Sequence, residues 1–310
     1  MNQSRGCDAV LLVGFGGPTH TDEIRPFLDN VLRGRPVPRE RYDAVVHHYE
    51  LLGGRSPYND LTIRQADALR AELARRAVET PVAVGMRNWQ PYIDDALAAL
   101  AHGGARRVLA FIMAAHRSEA SFERYQETIA AAIEKLENLA PKIIYPEPWF
   151  AHPKFIAAVA ARVAEALAHL DAADRARANL IFTAHSIPVA MAAASPYVEQ
   201  LTESSRLVAA KLGFENWTLA FQSRSGSPRD PWLEPDIGTA LRKLGRGAVA
   251  VVVPIGFLCD HVEVLYDLDL EAAAITREAG VRMYRAATVS DHPEFIAMMA
   301  EIVQRHARAA

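Results

Sequence analysis

The sequence has little cysteine and no surplus of positive charge. Only Cys7 and Cys259 are cysteines among 310 residues, and no CxxC pair is present. This scarcity argues against a disulfide framework and against a cysteine-ligated zinc or iron–sulfur site. It fits a protein of the reducing cytoplasm. The formal net charge of −3 leaves no basic excess, so nucleic acid is not expected as a partner.

Long hydrophobic runs are missing as well. No apolar stretch approaches the ~20 residues that a membrane-spanning helix needs. The apolar segment 9–14 is too short for a secretory signal and is followed by Gly-Gly-Pro. Peripheral membrane contact is compatible with the sequence but is not required by it, and no pattern indicates an oligomeric state. Because half of the residues are hydrophobic, the chain can bury one large core or two fused ones.

Short apolar runs alternate with amphipathic segments along the whole chain. The predicted strands are 8–14, 81–85, 108–114, 142–145, 179–184, 218–221, 248–254 and about 281–284. The predicted helices are 21–32, 60–77, 92–102, 119–136, 154–169, 196–212, 235–244, 260–279 and 293–307. β-Branched, apolar strands separated by helices are typical of parallel sheets that are covered on both faces.

The number of strands favours two similar α/β halves, each with a mostly parallel sheet of about four strands flanked by helices. The proline-rich stretch 141–148 predicts the junction. We therefore expect an N-terminal domain over 1–145 and a C-terminal domain over 146–290. The last helix, at about 291–310, is expected to pack back on the first domain.

A row of acidic side chains follows the apolar strand at 248–254. Glu263, Asp267 and Glu271 stand four residues apart, which places three carboxylates on one face of a helix. Like charges at that spacing repel, so a bound divalent cation or protons shared between the carboxylates would reduce this repulsion. A solvated helix face is the alternative that spacing alone leaves open. The packed face of the same helix is expected to consist of Val262, Leu265 and Tyr266.

Two strand ends carry further candidates. His185 closes an apolar strand, and histidine is the side chain best suited to accept a proton near neutral pH; a structural histidine is the alternative. The turn Gly14-Phe-Gly-Gly-Pro18 lacks both GxGxxG and a P-loop lysine. It predicts a tight turn that approaches a flat ligand, with Phe15 offering its ring. Arg33 and Arg35 are candidates to clamp substrate carboxylates.

Several of these motifs together resemble one family, the ferrochelatases, over nearly the whole chain. The matching segments are Leu12-Val-Gly-Phe-Gly-Gly-Pro18, Arg33-Gly-Arg35, Gly53-Gly-Arg-Ser-Pro57, Gly85-Met-Arg-Asn-Trp-Gln-Pro91, Thr183-Ala-His-Ser-Ile-Pro188, Gln222-Ser-Arg224, Pro231-Trp-Leu-Glu-Pro235 and Val253-Pro-Ile-Gly-Phe-Leu-Cys-Asp-His-Val-Glu-Val-Leu-Tyr-Asp-Leu-Asp269. The resemblance implies two Rossmann-like domains with a porphyrin cleft between them. It implies a metal chelatase, a lyase, that inserts Fe(II) into a porphyrin in haem biosynthesis.

The resemblance also implies roles for single residues. His185 and Glu263 would form the catalytic, metal-binding pair on opposing walls, and Asp267 and Glu271 would continue it as a path for protons or metal. The acidic helix would contain a π-helical turn. Porphyrin binding is expected at Phe15, Arg33, Ser56 and Tyr125. Iron would be a substrate; no iron–sulfur cluster is expected, and the resemblance leaves room for a secondary Mg²⁺ site.

The sequence departs from the family pattern at a few positions. Phe15 stands where some bacterial members have a tyrosine, and His48 stands where some members have an arginine. His116 is expected to reshape the cleft. The substrate is open between protoporphyrin IX and coproporphyrin III, with Ser56 and Tyr125 favouring the latter. Two alternatives stay open: a cobalt or iron chelatase for another tetrapyrrole, and a non-catalytic tetrapyrrole- or haem-binding protein.

Overall fold

The computed structural model describes residues 6–225 and 230–307. It contains two four-stranded sheets in which every pairing is parallel. The strands are β1 (Ala9–Gly14), β2 (Val82–Met86), β3 (Arg107–Ile112), β4 (Lys142–Ile144), β5 (Asn179–His185), β6 (Trp217–Gln222), β7 (Val249–Val253) and β8 (Arg282–Arg285). The predicted α/β class is confirmed, and so is each predicted strand to within two residues at either end.

Strand order follows the same scheme in both sheets. The first runs β2-β1-β3-β4 and the second β6-β5-β7-β8. The central strands β1 and β7 are buried along their whole length. They are rich in valine, leucine and alanine because helices cover both faces of a parallel sheet.

Helices connect the strands. They are α1 (Ile24–Leu32), α2 (Arg39–Leu51), α3 (Tyr58–Arg75), α4 (Ile93–His102), α5 (Arg124–Glu134), α6 (Pro153–Leu167), α7 (Ala172–Ala176), α8 (Val189–Ala193), α9 (Tyr197–Leu212), α10 (Ile237–Leu244), α11 (Val262–Val264), α12 (Ala273–Ala279) and α13 (Pro293–His306). Two stretches are π-helical, Glu119–Glu123 and Leu265–Ala272. The sequence did not predict α2, whose apolar periodicity is weak because it buries only Val46 and Tyr49.

The contacts divide the chain into two compact units. The first contains the described residues up to Met113, then Ala120–Pro148 and the chain from Pro293 onward; the second contains Ala114–Glu119 and Trp149–His292. Helix α13 lies against α3 in the first unit. No helix of the described chain is both long enough and apolar enough to cross a bilayer.

The short segment Ala114–Glu119 is held inside the second unit by His116. The imidazole is 3% exposed, lies 3.0 Å from the Ser204 hydroxyl through Nε2, and packs edge-on against Phe155. Burial lowers the pKa of His116 to about 3, so the ring is neutral. His116 is therefore an interior side chain of this unit, and its effect on a ligand cleft stays a prediction.

Candidate active site

The second sheet brings His185 and Glu263 together. His185 ends β5, and Glu263 lies in the helical segment that follows β7, the neighbouring strand. Carboxyl ends of neighbouring parallel strands meet at one edge of a sheet. The His185 Nε2 and Glu263 Oε1 atoms lie 3.4 Å apart. The expected placement on opposing walls is wrong, because adjacent strands of a single unit supply both residues.

Each member of this pair changes the protonation of the other. Burial raises the pKa of the Glu263 carboxyl, but the charges of His185 and His261 outweigh it and lower the pKa to about 2. Burial lowers the pKa of His185, but the Glu263 carboxylate and the Ser186 carbonyl outweigh it, and the net pKa is raised. The side chains are 28% and 39% exposed. Both shifts favour the charged forms of the pair, an imidazolium and a carboxylate.

Hydrogen bonds fix how the His185 ring is presented. Its Nδ1 bonds the carbonyl of Ser186, which leaves Nε2 for Glu263. The Tyr197 hydroxyl donates to the backbone carbonyl of His185 at 3.0 Å. Burial and the Glu263 charge raise the pKa of Tyr197, so its hydroxyl keeps its proton and remains a donor.

The acidic helix, residues 262–279, runs from α11 through the π-helical stretch Leu265–Ala272 into α12. The π-helical turn implied by the resemblance is thus confirmed. Its buried positions recur every four residues, at Val264, Leu268, Ala272 and Thr276. The predicted packed face of Val262, Leu265 and Tyr266 is wrong, since these side chains are only partly buried. The prediction assumed the 3.6-residue period of an α-helix, and i→i+5 bonding widens the turn.

The acidic row is more than a solvated face. Burial and the neighbouring carboxylates Glu263 and Glu271 raise the pKa of Asp267 to about 7, although the Ser223 hydroxyl and His185 act against them. Asp267 is therefore about half protonated near neutral pH. Glu271, at the far end of the row, is exposed to solvent.

The residues predicted to bind porphyrin all lie in the first unit. Phe15 is 37% exposed and its peptide N–H donates to the Tyr58 hydroxyl at 2.9 Å. Arg33 is exposed, whereas Ser56 and Tyr125 are buried at 4% and 7% exposure. Phe15 and Arg33 are thus accessible to a ligand, and Ser56 and Tyr125 lie mostly beneath the surface of the unit.

A group of arginines lies beside Arg33. The Arg33 guanidinium donates to the carbonyl of Arg87 at 3.3 Å, and Arg87 donates to the Thr128 hydroxyl at 3.2 Å. Burial lowers the pKa of Arg87, and the charges of Arg33, Arg124 and Arg35 lower it further. Within residues 6–225 and 230–307, Arg33, Arg35 and Arg87 form no ion pair with a carboxylate. Such a group favours an anionic ligand.

Comparison with known proteins gives the family. The model of the Ferrochelatase family matches residues 7–307. The chain belongs to the ferrochelatase family. The Ferrochelatase of Rhodopirellula baltica is 43% identical over 300 residues, which cover 96% of this chain and 85% of that protein. The Coproporphyrin III ferrochelatase of Mycolicibacterium smegmatis is 42% identical over 301 residues, which cover 96% of this chain and 88% of that protein.

Solved structures with the same fold are chelatases. SirB from Bacillus subtilis with Fe³⁺ has a TM-score of 0.61 at 14% identity, covering 96% of this chain and 95% of that one. A second match is the sirohydrochlorin chelatase SirB from Bacillus subtilis subspecies spizizenii in complex with cobalt. Its TM-score is 0.57 at 12% identity, and the match covers 96% of this chain and 94% of that one. At these identities the likeness shows the fold alone, and it confirms the predicted two-domain chelatase architecture.

As a ferrochelatase family member, the protein is a metal chelatase that inserts iron in haem biosynthesis, as predicted from the motifs. Ferrous iron is a substrate of the family. In the described ranges no three His, Cys, Asp or Glu side chains are grouped so as to hold a metal ion.

Sequence reasoning missed the residues that hold this ferrochelatase site in place. Gln222 and Ser223, at the end of β6, bond the backbone of Glu263 and the side chain of Asp267, respectively. The sequence contained two signals for them: Gln222-Ser-Arg224 is one of the segments that resemble the family, and it follows the predicted strand β6. No pattern pointed to Tyr197, whose bond to His185 depends on the tertiary fold.

Proposed function

We propose that this protein inserts Fe(II) into coproporphyrin III, with His185 and Glu263 at the reacting centre. The observation that carries the proposal is the 3.4 Å contact between these side chains at the carboxyl edge of the second sheet. The porphyrin identity is supported by relatives such as the protein of Streptomyces coelicolor, which is 41% identical over 320 residues and named Coproporphyrin III ferrochelatase.

Metal insertion requires that the two inner N–H protons of the porphyrin leave and that the planar ring bend. Neutral His185 accepts a pyrrole proton at Nε2, because Nδ1 is tied to the Ser186 carbonyl. Binding of the porphyrin periphery is the source of the energy that bends the ring. Fe(II) accepts both imidazole nitrogen and carboxylate oxygen, which His185 and Glu263 offer side by side.

The proton taken up by His185 must leave before the next one arrives. A proton carrier works best when its pKa lies near the working pH. Asp267, with a pKa of about 7, meets that condition, whereas Glu263, with a pKa of about 2, does not. We assign Asp267 as the relay and the exposed Glu271 as the group that passes protons to solvent.

The substrate carboxylates supply the counter-charge for the arginines of the first unit. Coproporphyrin has two more propionates than protoporphyrin. Arg33, Arg35 and Arg87 have no carboxylate partner among the described residues, which favours the more carboxylated porphyrin. We assign the accessible Phe15 to the apolar ring and Arg33 to the propionates; porphyrin binding at Ser56 and Tyr125, which are buried, stays a prediction. A cytoplasmic location, the lack of an iron–sulfur cluster and a secondary Mg²⁺ site stay predictions.

The test is the His185→Ala variant. Removing the proton acceptor should lower kcat for iron insertion by about 10²- to 10⁴-fold. Porphyrin affinity, measured by fluorescence quenching, should change little because the ring periphery is bound elsewhere. His169→Ala, an exposed histidine of the same unit, is the control and should keep its rate. Normal turnover of His185→Ala would show that another group is the base.

A further inference from the structure

The end of β6 contacts the acidic helix at two successive residues. In the β5–β6 register, Gln222 is the partner of His185. The Gln222 side chain is 2% exposed, and its Nε2 donates to the backbone carbonyl of Glu263 at 2.6 Å. A buried carboxamide thus holds the main chain of the residue that pairs with His185.

The carbonyl that Gln222 binds lies where the helical hydrogen bonding changes. Helix α11 ends at Val264 and the π-helical stretch begins at Leu265. A change from i→i+4 to i→i+5 bonding disrupts the regular carbonyl partners at the junction. An outside donor at Glu263 therefore stabilises the junction, and the carboxamide of Gln222 is that donor.

Ser223 has a backbone conformation that serine rarely adopts. Its φ is +60°, in the left-handed region, where a residue other than glycine is strained. Its hydroxyl donates to the Asp267 carboxylate. On an extended strand, adjacent side chains point to opposite faces. The left-handed turn removes that alternation, so that Gln222 and Ser223 both reach the same helix.

We infer that Gln222 and Ser223 are positioning residues that hold the start of the acidic helix in its π-helical geometry. Gln222 fixes the backbone at Glu263, and Ser223 fixes the carboxylate of Asp267. Glycine would adopt the φ of residue 223 without strain, but it has no hydroxyl to give Asp267. The inference rests on the proposed roles of Glu263 and Asp267, and it adds to them the element that sets their positions.

Three variants of Ser223 separate the hydroxyl from the backbone strain. Ser223→Ala and Ser223→Gly both remove the hydroxyl, and both should lower kcat for iron insertion by about 10-fold or more while leaving the KM for porphyrin unchanged. Ser223→Gly also relieves the strain, so it should melt at least about 2 °C above Ser223→Ala. Ser223→Thr keeps a hydroxyl and should retain more activity than Ser223→Ala.

Ser290 provides the matched control. It is a serine in the left-handed region, with φ +43°, in the same unit. Ser290→Ala should leave kcat unchanged, and Ser290→Gly should do the same. If Ser223→Ala turns over like the wild type, or if Ser223→Gly recovers the wild-type rate, the hydroxyl does not position Asp267 and the inference fails.

Amide hydrogen exchange tests the inference without a measurement of iron insertion. Gln222→Leu removes the donor and fills the buried position with an apolar side chain of comparable size. Exchange of the amides of Leu265–Ala272 should become at least about 10-fold faster in Gln222→Leu and in Ser223→Ala, while exchange in β7 stays as in the wild type. Unchanged exchange in both variants would overturn the inference. Should the wild type fail to insert iron, the proposed function would fall, and the exchange experiment would still decide whether these residues hold the helix.

Discussion

At the scale of single side chains, the contact between His185 and Glu263 sets how readily His185 binds a proton near neutral pH. The raised pKa of His185 and the lowered pKa of Glu263 both favour the charged forms of the pair. His185 must therefore become neutral before it accepts a pyrrole proton. With His185 as the proposed base, activity is expected to follow the fraction of His185 that is unprotonated.

This arrangement predicts the pH dependence. The kcat/KM for porphyrin should fall as the pH falls through the raised pKa of His185. In Glu263→Gln the stabilising carboxylate is gone, so the pKa of His185 falls and this acidic limb should move to lower pH. The maximal rate should also fall, by about 10²-fold or more. The measurement is a pH series of anaerobic Fe(II) insertion.

Glu271→Gln is the companion variant for this series. The Glu271 carboxyl is exposed at the far end of the acidic row. The acidic limb of the pH profile should therefore barely shift, and the rate should fall less than in Glu263→Gln. A limb that stays in place in Glu263→Gln would mean that another group controls it. Equal rate losses in both variants would argue against a graded path.

Asp267 should destabilise the fold at alkaline pH. Its pKa rises from 3.8 to about 7, so between these values the folded state binds more protons than the unfolded state. The free energy of unfolding therefore falls as the pH rises through this range. Asp267→Asn removes the penalty and should stabilise the protein at pH 8 by on the order of 2 kcal/mol, a value reduced for solvent screening.

Urea unfolding of wild type and Asp267→Asn at two pH values measures this effect. The gain should be clearly larger at pH 8 than at pH 5, and iron insertion should be slower in the variant because the relay is lost. If Asp267→Asn is less stable than the wild type at pH 8, the ionised Asp267 carboxylate does not destabilise the folded state.

The residues of the site could be predicted from sequence, but their geometry could not. His185 and Glu263 were predicted from motifs that resemble the family, and the structure brings these two side chains together. Their direct contact was missed because it depends on the order of β5 and β7 in the sheet, which no local pattern encodes. The bonds from Tyr197 and Ser223 also join residues that are distant in sequence.

At the level of secondary-structure elements, the number of residues per turn of the acidic helix decides which of its side chains are buried. The burial at Val264, Leu268 and Ala272 repeats every four residues and places these side chains in the core of the second unit. The interleaved positions carry Glu263 and Asp267. The π-helical stretch therefore keeps an apolar row and an acidic row parallel along one short helix.

This burial pattern predicts a contrast between two leucines of the same helix. Leu268 is 0% exposed and Leu270 is 41% exposed. Leu268→Ala should lower the free energy of unfolding by about 2–5 kcal/mol because it leaves a cavity. Leu270→Ala should change it by less than about 0.5 kcal/mol. Chemical denaturation of both variants is the measurement, and similar losses would contradict the observed burial.

Strands were easier to predict than helix faces. Buried parallel strands are recognised in sequence as continuous apolar runs, and β1 and β7 have that form. Helix α2 was missed because it presents few apolar side chains to the core. The packed face of the acidic helix was mispredicted because the α-helical period was applied to a π-helical stretch.

For the whole molecule, the two parallel sheets and the family membership support one account of function. In the proposed function, iron is bound by a histidine and a carboxylate of the second unit. Arginines of the first unit that have no carboxylate partner among the described residues would bind the carboxylates of the substrate. The order of strands and the motif sequence had predicted the fold and the reaction. The identity of the porphyrin depends on loop side chains, whose contacts with a ligand no pattern in the chain specifies.

The most direct test is the kcat/KM of the wild type for anaerobic Fe(II) insertion into coproporphyrin III and into protoporphyrin IX, measured side by side. We expect coproporphyrin III to be preferred by about 10-fold or more, because loss of two carboxylates leaves arginine charges without partners. Equal use of both porphyrins, a preference for protoporphyrin IX, or no insertion into either would contradict the account.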